Sequence, residues 1–546
     1  MVGIRRPPAG VRYRRALRRL READRSIRLG ALIVTGLLVA DLISLGAVGP
    51  STSRLAATGS TSTSGSGASG ALGPPGSSTT AGTLGASGAT STTLAAASTT
   101  AATLGSSGVG SLVGGGSGSG AAPGVKLTAS DRGVTPTSIT VVFPWPNLGA
   151  VGAATGIDTA SESNTLSIAT YVNDINAHGG ILGRKIVPEV VGFNPLDDAS
   201  MRALCLQWTQ DQQVFAVVDS DAWHDDEQLC ITQEGHTPLI SGWTAVPLFT
   251  QEGAPNLWWT GPDTSRVVEN LVPWAIARGI LTPKTKFGIL ASDRQEDTIA
   301  LNQYLIPTLA RYGLKATDVE ISHYDSSDGA DSADTAPLSV ERFRADGVTT
   351  LIPIVPFLNL ATFLETADDQ NWDPVEALSD YESELEGGLG LADEGFQDLQ
   401  NQVGPTSFDL GNSDDPRGYD AQAMSCYDVW QQANPGVTPP PNHYVEATGT
   451  AMTWCQNIRL FAAAARLAGP DLTRAGFDAA MGQLSSFPGT VVPFLSYSPT
   501  NHAGPHEYRT VEIHENGDGK CPLLANGQAQ GSCWLILSPW KEMQTG

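Results

Sequence analysis

Ile175-Asn176-Ala177-His178-Gly179-Gly180-Ile181-Leu182-Gly183-Arg184-Lys185-Ile186 is the stretch from which the fold is read. It begins where a helical pattern ends and finishes in a β-branched run. Two successive glycines let a helix stop in the left-handed conformation that other residues enter only at a cost, and Gly183 allows a tight return. The stretch predicts a helix, a turn and a strand in immediate succession. Ser161–His178 reads as the helix, with Leu166, Ala169 and Ile175 on one side, and Lys185–Phe193 as the strand.

Working outward, the same alternation appears on both sides. Ser138–Phe143 is a short β-branched run broken by Pro144-Trp145-Pro146-Asn147. Downstream, Ala199–Gln210 reads as helix, Val214–Val218 as strand, Glu227–Gly235 as helix and Pro238–Ser241 as strand. Asn256–Thr260, Thr264–Arg278 and Lys286–Ala291 give strand, helix, strand, and Thr298–Tyr312, Lys315–Ser322, Val340–Ala345, Thr350–Val355 and Leu360–Gln370 extend the series. Apolar strands separated by helices imply parallel sheets covered on both faces. The pattern restarts near Pro262, which predicts a crossing into a second sheet. The expected fold is α/β, with two doubly wound parallel-sheet lobes joined by a multi-strand hinge. A ligand belongs in the crevice where the carboxyl ends of the strands face each other.

Charge divides the 546 residues into unequal territories. The net of −24 combines a basic N-terminus, an uncharged middle and a strongly acidic remainder. Residues 1–54 hold 11 Arg against Glu22, Asp24 and Asp41; residues 55–125 carry no charged side chain; residues 126–546 hold 21 basic and 53 acidic residues, a net of −32. So acidic a region excludes a nucleic-acid partner, because phosphate binding needs a basic face. Residues 1–28 read as a basic cytoplasmic segment. Leu29–Val48 is a 20-residue apolar run interrupted only by Asp41, long enough for a bilayer core of roughly 30 Å. Flanking arginines orient it with its N-terminus inside. It reads either as an uncleaved signal-anchor or as a signal peptide, which leaves the remainder tethered to the cell membrane or secreted. Residues 49–125 are Gly, Ser, Thr and Ala with scattered Leu and Pro, a disordered linker with a reach of about 45–50 Å. The folded domain is expected over residues 126–546.

All six cysteines and all twelve tryptophans lie in that domain. Six cysteines allow 15 connectivities; pairing nearest neighbours, Cys205–Cys230, Cys426–Cys455 and Cys521–Cys533, is the simplest. No Cys or His stands at zinc-finger spacing, and no metal or cofactor is expected. The His502/His506 pair sits in a Pro/Gly-rich loop, and Asp219, Asp221, Asp225 and Asp226 read as a solvated acidic loop. Walker, G-x-S-x-G, H-E-x-x-H and dinucleotide fingerprints are all missing from the exported part, so nothing reads as an enzyme.

The opening stretch resembles the N-x-x-G-G-[IV]-x-G-[RK]-x-[IV] turn of type I periplasmic binding proteins, in the leucine/isoleucine/valine-binding branch of ABC-transporter receptors. Gly133-Val134-Thr135-Pro136-Thr137-Ser138-Ile139 is similar to that family's entry into its first strand. Pro238–Ser241 with Pro247 and Thr250 resembles its fourth-strand segment, and Tyr312-Gly313, His323-Tyr324 and Phe343 follow its later order. Cys205 and Cys230 stand where several members place a disulfide. The resemblance runs from about Val134 to Cys533.

It implies a bilobed receptor that closes on a small-molecule solute and hands it to ABC permease subunits. Family contacts carried onto this chain fall on Trp145 and Asn147; Ser220, Asp221 and Trp223; Trp243 and Thr244; Asp297; and Phe357 and Asn359, with Tyr381 and Glu382 beyond them. There are departures. Asp219 and Asp221 stand where amino-acid-binding members use small hydroxyls on the ligand carboxylate, and Asp297 stands where many have Tyr. Like charges repel, so a cationic or neutral solute is expected over a bare anion. For Trp145 and Trp243, stacking on a ligand and shielding the hinge remain equal readings, whereas Trp258 and Trp259 read as core. A sensing or adaptor ectodomain of the same fold, signalling without transport, is the alternative function.

Overall fold

A computed structural model of the chain describes residues 126–147, 161–195, 197–220, 222–323, 331–385, 399, 401–412, 418–436, 447–515, 518–521 and 532–544. All belong to the unit Ala101–Gly546. The basic segment 1–28, the apolar run 29–48 and the linker 49–125 lie outside the described residues. Among the described residues no helix is long and apolar enough to cross a membrane.

The opening stretch folds as its glycines require. Helix α1 (Ser161–Ala177) ends against Gly179 and Gly180, with φ of 95° and 67°. Leu182 and Gly183 also have positive φ (52° and 99°), and the N–H of Ile181 donates to the Arg184 carbonyl, 2.8 Å away, to close the turn into β2 (Lys185–Phe193). The polar residues of the pattern have their own tasks. Asn176 pairs with both backbone groups of Ile186 at 2.8 Å, an amide serving as a strand partner. Arg184, fully buried, donates to the carbonyls of Thr135 and Thr128.

Strand β1 (Ser138–Pro146) lies parallel to β2, with Ser138 beside Lys185 and Pro146 beside Phe193. With β3 (Ala216–Val218), β4 (Leu239–Ser241) and β5 (Leu257–Trp259) it forms a parallel sheet in the order β2-β1-β3-β4-β5. Helices α2 (Asp198–Leu206), α3 (Asp225–Leu229) and α4 (Pro247–Gly253) connect these strands, α2 and α3 each continuing into a π-helical turn. The chain crosses to the second lobe through residues 260–263, as the restart near Pro262 predicted, and enters α5 (Thr264–Ala277). There β6 (Phe287–Ser292), β7 (Asp318–Ser322), β8 (Thr350–Ile354) and β9 (Val375–Glu376) make a parallel sheet in the order β7-β6-β8-β9. Its helices are α6 (Gln295–Ile299), α7 (Ile306–Arg311), α8 (Asp331–Asp346) and α9 (Phe357–Asp369).

Beyond Gln370 lie elements the pattern does not reveal. Strand β10 (Val403–Thr406) leads back to the first lobe, where α10 (Ala421–Ala433) and α11 (Ala447–Ala468) cover α1 and α12 (Arg474–Met481) packs on α11. A two-stranded ribbon, β11 (Phe487–Pro488) with β12 (Phe494–Leu495), precedes a third crossing at residues 496–506. Strand β13 (Glu507–Glu515) then pairs antiparallel with β10, β14 (Ser532–Ile536) and β15 (Lys541–Glu542). The second lobe thus carries an antiparallel sheet beside its parallel one. Because α10 and α11 cover α1 as well as the sheet, its buried face is centred on Ile168, Tyr171, Val172 and Ile175; Leu166 and Ala169, expected on that face, are only partly buried. The three disulfides join nearest neighbours, Cys205–Cys230, Cys426–Cys455 and Cys521–Cys533, with Cα separations of 6.3, 6.1 and 5.7 Å. Trp258 and Trp259 are core residues, as read.

Candidate functional site

Each lobe sends loops from the carboxyl ends of its strands toward the other. From the first lobe, β4 ends in Ser241-Gly242-Trp243-Thr244; from the second, β6 ends in Ser292 and runs on through Asp293 and Arg294 into α6. The two meet where the Arg294 guanidinium lies over the Trp243 indole, 5.9 Å from the ring centre. A cation over an aromatic face is attracted by the ring quadrupole, the more so when water is excluded.

Arg294 is anchored from below by acids. It donates to Asp297 at 2.9 Å and to Glu382, and lies 3.6 Å from Glu296. The Asp297 carboxylate also receives the Ser292 hydroxyl and, at 2.5 Å, the Tyr381 hydroxyl. Asp297 and Glu296 are fully buried. Burial pushes the Asp297 carboxyl up, against the opposing pull of Arg294 and its two hydroxyl donors. Burial and the same acids drive the Tyr381 phenol well above its ordinary value. Glu382 occupies a left-handed backbone position (φ 48°), a strained geometry for a non-glycine residue. Three carboxylates around one guanidinium leave the cleft floor net negative.

On the first-lobe wall, Asp219 directly follows β3 and is fully buried. It accepts the Ser241 hydroxyl at 3.1 Å, while Asn457 of α11 holds its backbone carbonyl at 2.8 Å. The Ser241 oxygen in turn receives the Trp243 N–H at 3.2 Å, so Asp219 and Ser241 set the loop that carries Trp243. Thr244 packs where the first crossing passes: a Cβ on Gly261 would come within 2.7 Å of its methyl group.

The other residues carried over from the resemblance fall into distinct places. Trp145 lies over Gly192 of the neighbouring strand, where a Cβ would meet its ring at 2.8 Å, and Asn147 is exposed at the strand end. Ser220 is nearly buried beside Asp219. Trp223 is a core residue: fully buried, packed on Phe193 and Trp208, its indole N–H donating to the Glu227 carbonyl. Phe357 opens α9, and Asn359 reaches the Ser322 hydroxyl at 3.4 Å. Asp221 lies outside the described residues. Trp243 and Asp297 are therefore brought together, through Arg294, while Trp223 turns into the lobe. His502 stacks on Trp258 at 3.8 Å with Nδ1 on the Leu257 carbonyl, and burial lowers its pKa.

Arg294 is the residue at this meeting point that sequence reasoning missed. Its signal was positional, since it follows the end of β6 as closely as Trp243 follows the end of β4.

Residues 146–518, more than half of the chain, match the family described as periplasmic binding protein. Comparison with curated protein sequences gives no match. Among solved structures, the chain is similar to a fatty acid ABC transporter substrate-binding protein from Thermomonospora curvata (TM-score 0.55, 15% identity, covering 78% of this chain and 97% of that one). It is likewise similar to an ABC-transporter solute-binding protein from R. palustris in complex with 4-hydroxybenzoate (TM-score 0.55, 12% identity, 75% and 98%). A third is a branched-chain amino acid ABC transporter protein from Thermus thermophilus with bound valine (TM-score 0.52, 14% identity, 75% and 97%). At such identities the likeness is one of fold. Members of the family are solute-binding receptors of ABC transporters that work in the periplasm or outside the cell. The match, the two parallel sheets and the three crossings between them make this chain a type I periplasmic binding protein of the leucine/isoleucine/valine-binding-like family.

Proposed function

We propose that the chain is an exported receptor that closes its lobes over a small, neutral or cationic amphipathic solute and delivers it to an ABC permease. The observation that carries this reading is the meeting of Trp243 and Arg294 across the cleft. A solute entering there exchanges one cation–π partner for another and bridges the lobes, which shifts an open–closed equilibrium. Amino acids and aromatic acids, the ligands named for similar structures, are anions at one end. Here Arg294 is committed to Asp297 and Glu382, and Asp219 faces the loop that would receive a carboxylate. An amide or an amine suits these walls better, and an amino acid does so only with its ammonium toward the acids.

In the same reading the apolar run Leu29–Val48 anchors the receptor and residues 49–125 tether it, with residues 1–28 inside the cell. Resistance of the full-length chain to alkaline extraction from membranes is the expected result; release into the supernatant would make it a secreted receptor.

A thermal-shift screen of the full-length chain against amides, amines, amino acids, short peptides, sugars and aromatic acids tests the solute class. A solute at 100 times its Kd stabilises by about 2.7 kcal/mol. Amides or amines are expected to raise the melting temperature and simple carboxylates to leave it unchanged; a shift from carboxylates alone would overturn the class. Trp243→Ala is expected to weaken the identified solute by about tenfold or more, and undiminished affinity would remove Trp243 from the site.

A further inference from the structure

Beside the cleft wall of the first lobe, three donors from the starts of two helices converge. Asp198 opens α2, His224 immediately precedes α3, and Glu227 lies within it. One ligand atom from each lies within 4.8 Å of the other two. His224 and Glu227 are 5% and 8% exposed, so the group sits in the protein rather than on an acidic surface. Asp198 is half-buried and Glu227 buried, and carboxylates drawn together repel unless positive charge lies among them.

The surrounding bonds say what kind of cation. His224 Nε2 lies 2.9 Å from the carbonyl oxygen of Pro195. A carbonyl only accepts, so Nε2 carries the proton, and in the neutral ring Nδ1 presents its lone pair. Orientation of a ligating imidazole by a carbonyl on its far nitrogen is a recurrent feature of metal sites. Pro195 lies between β2 and α2 and Asp198 is the first residue of α2, so one short segment supplies the ring's orienter and a carboxylate. The other segment is fixed independently, because the Trp223 indole is locked in the core and donates to the Glu227 carbonyl at 3.0 Å. Asp198 Oδ1 is buried and finds no hydrogen-bond donor among the described residues, a desolvation cost that a bound cation removes.

We propose that Asp198, His224 and Glu227 form a site for a divalent transition cation of the zinc type. One imidazole nitrogen with two carboxylates suits Zn²⁺, whereas Ca²⁺ takes six to eight oxygens. Three protein ligands leave a position for water or for a solute donor. The site borders the cleft, since the His224 ring is 5.8 Å from that of Trp243. A cation there braces the loops after β2 and β3 against each other and offsets the acidity of the wall that carries Asp219.

The test is calorimetric titration of Zn²⁺ into the EDTA-stripped full-length chain, with Co²⁺ as a spectroscopic probe. One ion per chain is expected, with Co²⁺ showing the visible bands of a low-coordinate nitrogen–oxygen site. Asp198→Asn and Glu227→Gln are each expected to weaken Zn²⁺ by at least about tenfold. His224→Gln should abolish the Co²⁺ bands, while Asp226→Asn, an exposed neighbour, leaves affinity unchanged. Circular dichroism of each variant separates lost ligation from lost fold. Equal Zn²⁺ affinity in Asp198→Asn and Asp226→Asn would assign the ion to surface acids and overturn the site. Absence of one-to-one binding, with an elevated His224 pKa by NMR, would mean that an imidazolium sits between the carboxylates and would equally overturn it. Neither result bears on the cleft solute, which is read from the melting screen.

Discussion

At the residue scale, the two glycines of the opening stretch look alike in sequence and differ in what surrounds them. Gly179 has open space where a Cβ would project, so Gly179→Ala meets only the strain of a positive φ, about 1–2 kcal/mol. A Cβ on Gly180 would lie 2.0 Å from the Arg184 carbonyl oxygen, which is itself held by the Ile181 N–H. Gly180→Ala must therefore open the turn into β2 as well as strain the backbone, and is expected to cost distinctly more. Urea unfolding of the two variants checks this, and equal midpoints would refute it. The need for glycine at both positions was legible in the sequence; the inequality was not, because it arises from a contact across the turn. The same holds for Asn176 and Arg184. Both belong to the recognised pattern, yet their backbone partners, Ile186 for one and Thr128 and Thr135 for the other, appear only in three dimensions.

At the element scale, the parallel core was legible and the C-terminal elements were not. Strands β2, β4 and β8 fall within a residue or two of where apolar runs bounded by turn residues placed them, because buried parallel strands leave that signature. Helix α11 leaves no comparable mark, being buried along most of its length between α1, α12 and the β11–β12 ribbon. One of its polar residues is structural: Gln456 Oε1 accepts the N–H groups of Thr490, Val491 and Val492 and so shapes the turn of that ribbon. Cys455 on α11 is bonded to Cys426 on α10, whose backbone carbonyl receives the Tyr171 hydroxyl of α1. This bond, spanning 29 residues, joins the two helices that cap the first lobe. The double variant Cys426→Ser/Cys455→Ser is expected to lose about 3–4 kcal/mol of stability, mostly from the freed unfolded chain. Denaturant unfolding gives the value; a loss under about 1 kcal/mol would mean that packing of α10 on α1 suffices without the cross-link.

At the scale of the whole molecule, charge dominates, and its consequence runs against ordinary acid denaturation. Three acids near the crossings are raised, Asp380 and Asp478 buried and Asp409 half-buried. Asp380 accepts the N–H and hydroxyl of Ser407 where β10 leaves the second lobe, and burial pushes it up to about 6. Asp478 accepts the Trp258 indole N–H at 3.0 Å and is pushed up to about 7, again chiefly by burial. Asp409, paired with Arg509 at 2.8 Å, is pushed up to about 6. All three lie above the unfolded value near 3.9, so the folded state binds more protons through this interval. Their contribution is fully present below the unfolded pKa and is lost as pH rises through 6 to 7. Self-repulsion within the net −32 of residues 126–546 acts in the same direction. The domain is accordingly expected to be more stable near pH 5 than near pH 8, by a few kcal/mol at most, on the rule that one pKa unit is about 1.4 kcal/mol. Urea midpoints at the two pH values measure this, with an unchanged slope showing that the same surface unfolds. Asp478→Asn isolates one contribution, because an amide oxygen still accepts from Trp258 but carries no charge at high pH. The variant should be stabilised near pH 8, little changed near pH 5, and show a smaller difference between them. A wild-type midpoint higher near pH 8, or an Asp478→Asn variant destabilised equally at both, would show that these acids are held ionised in the folded protein.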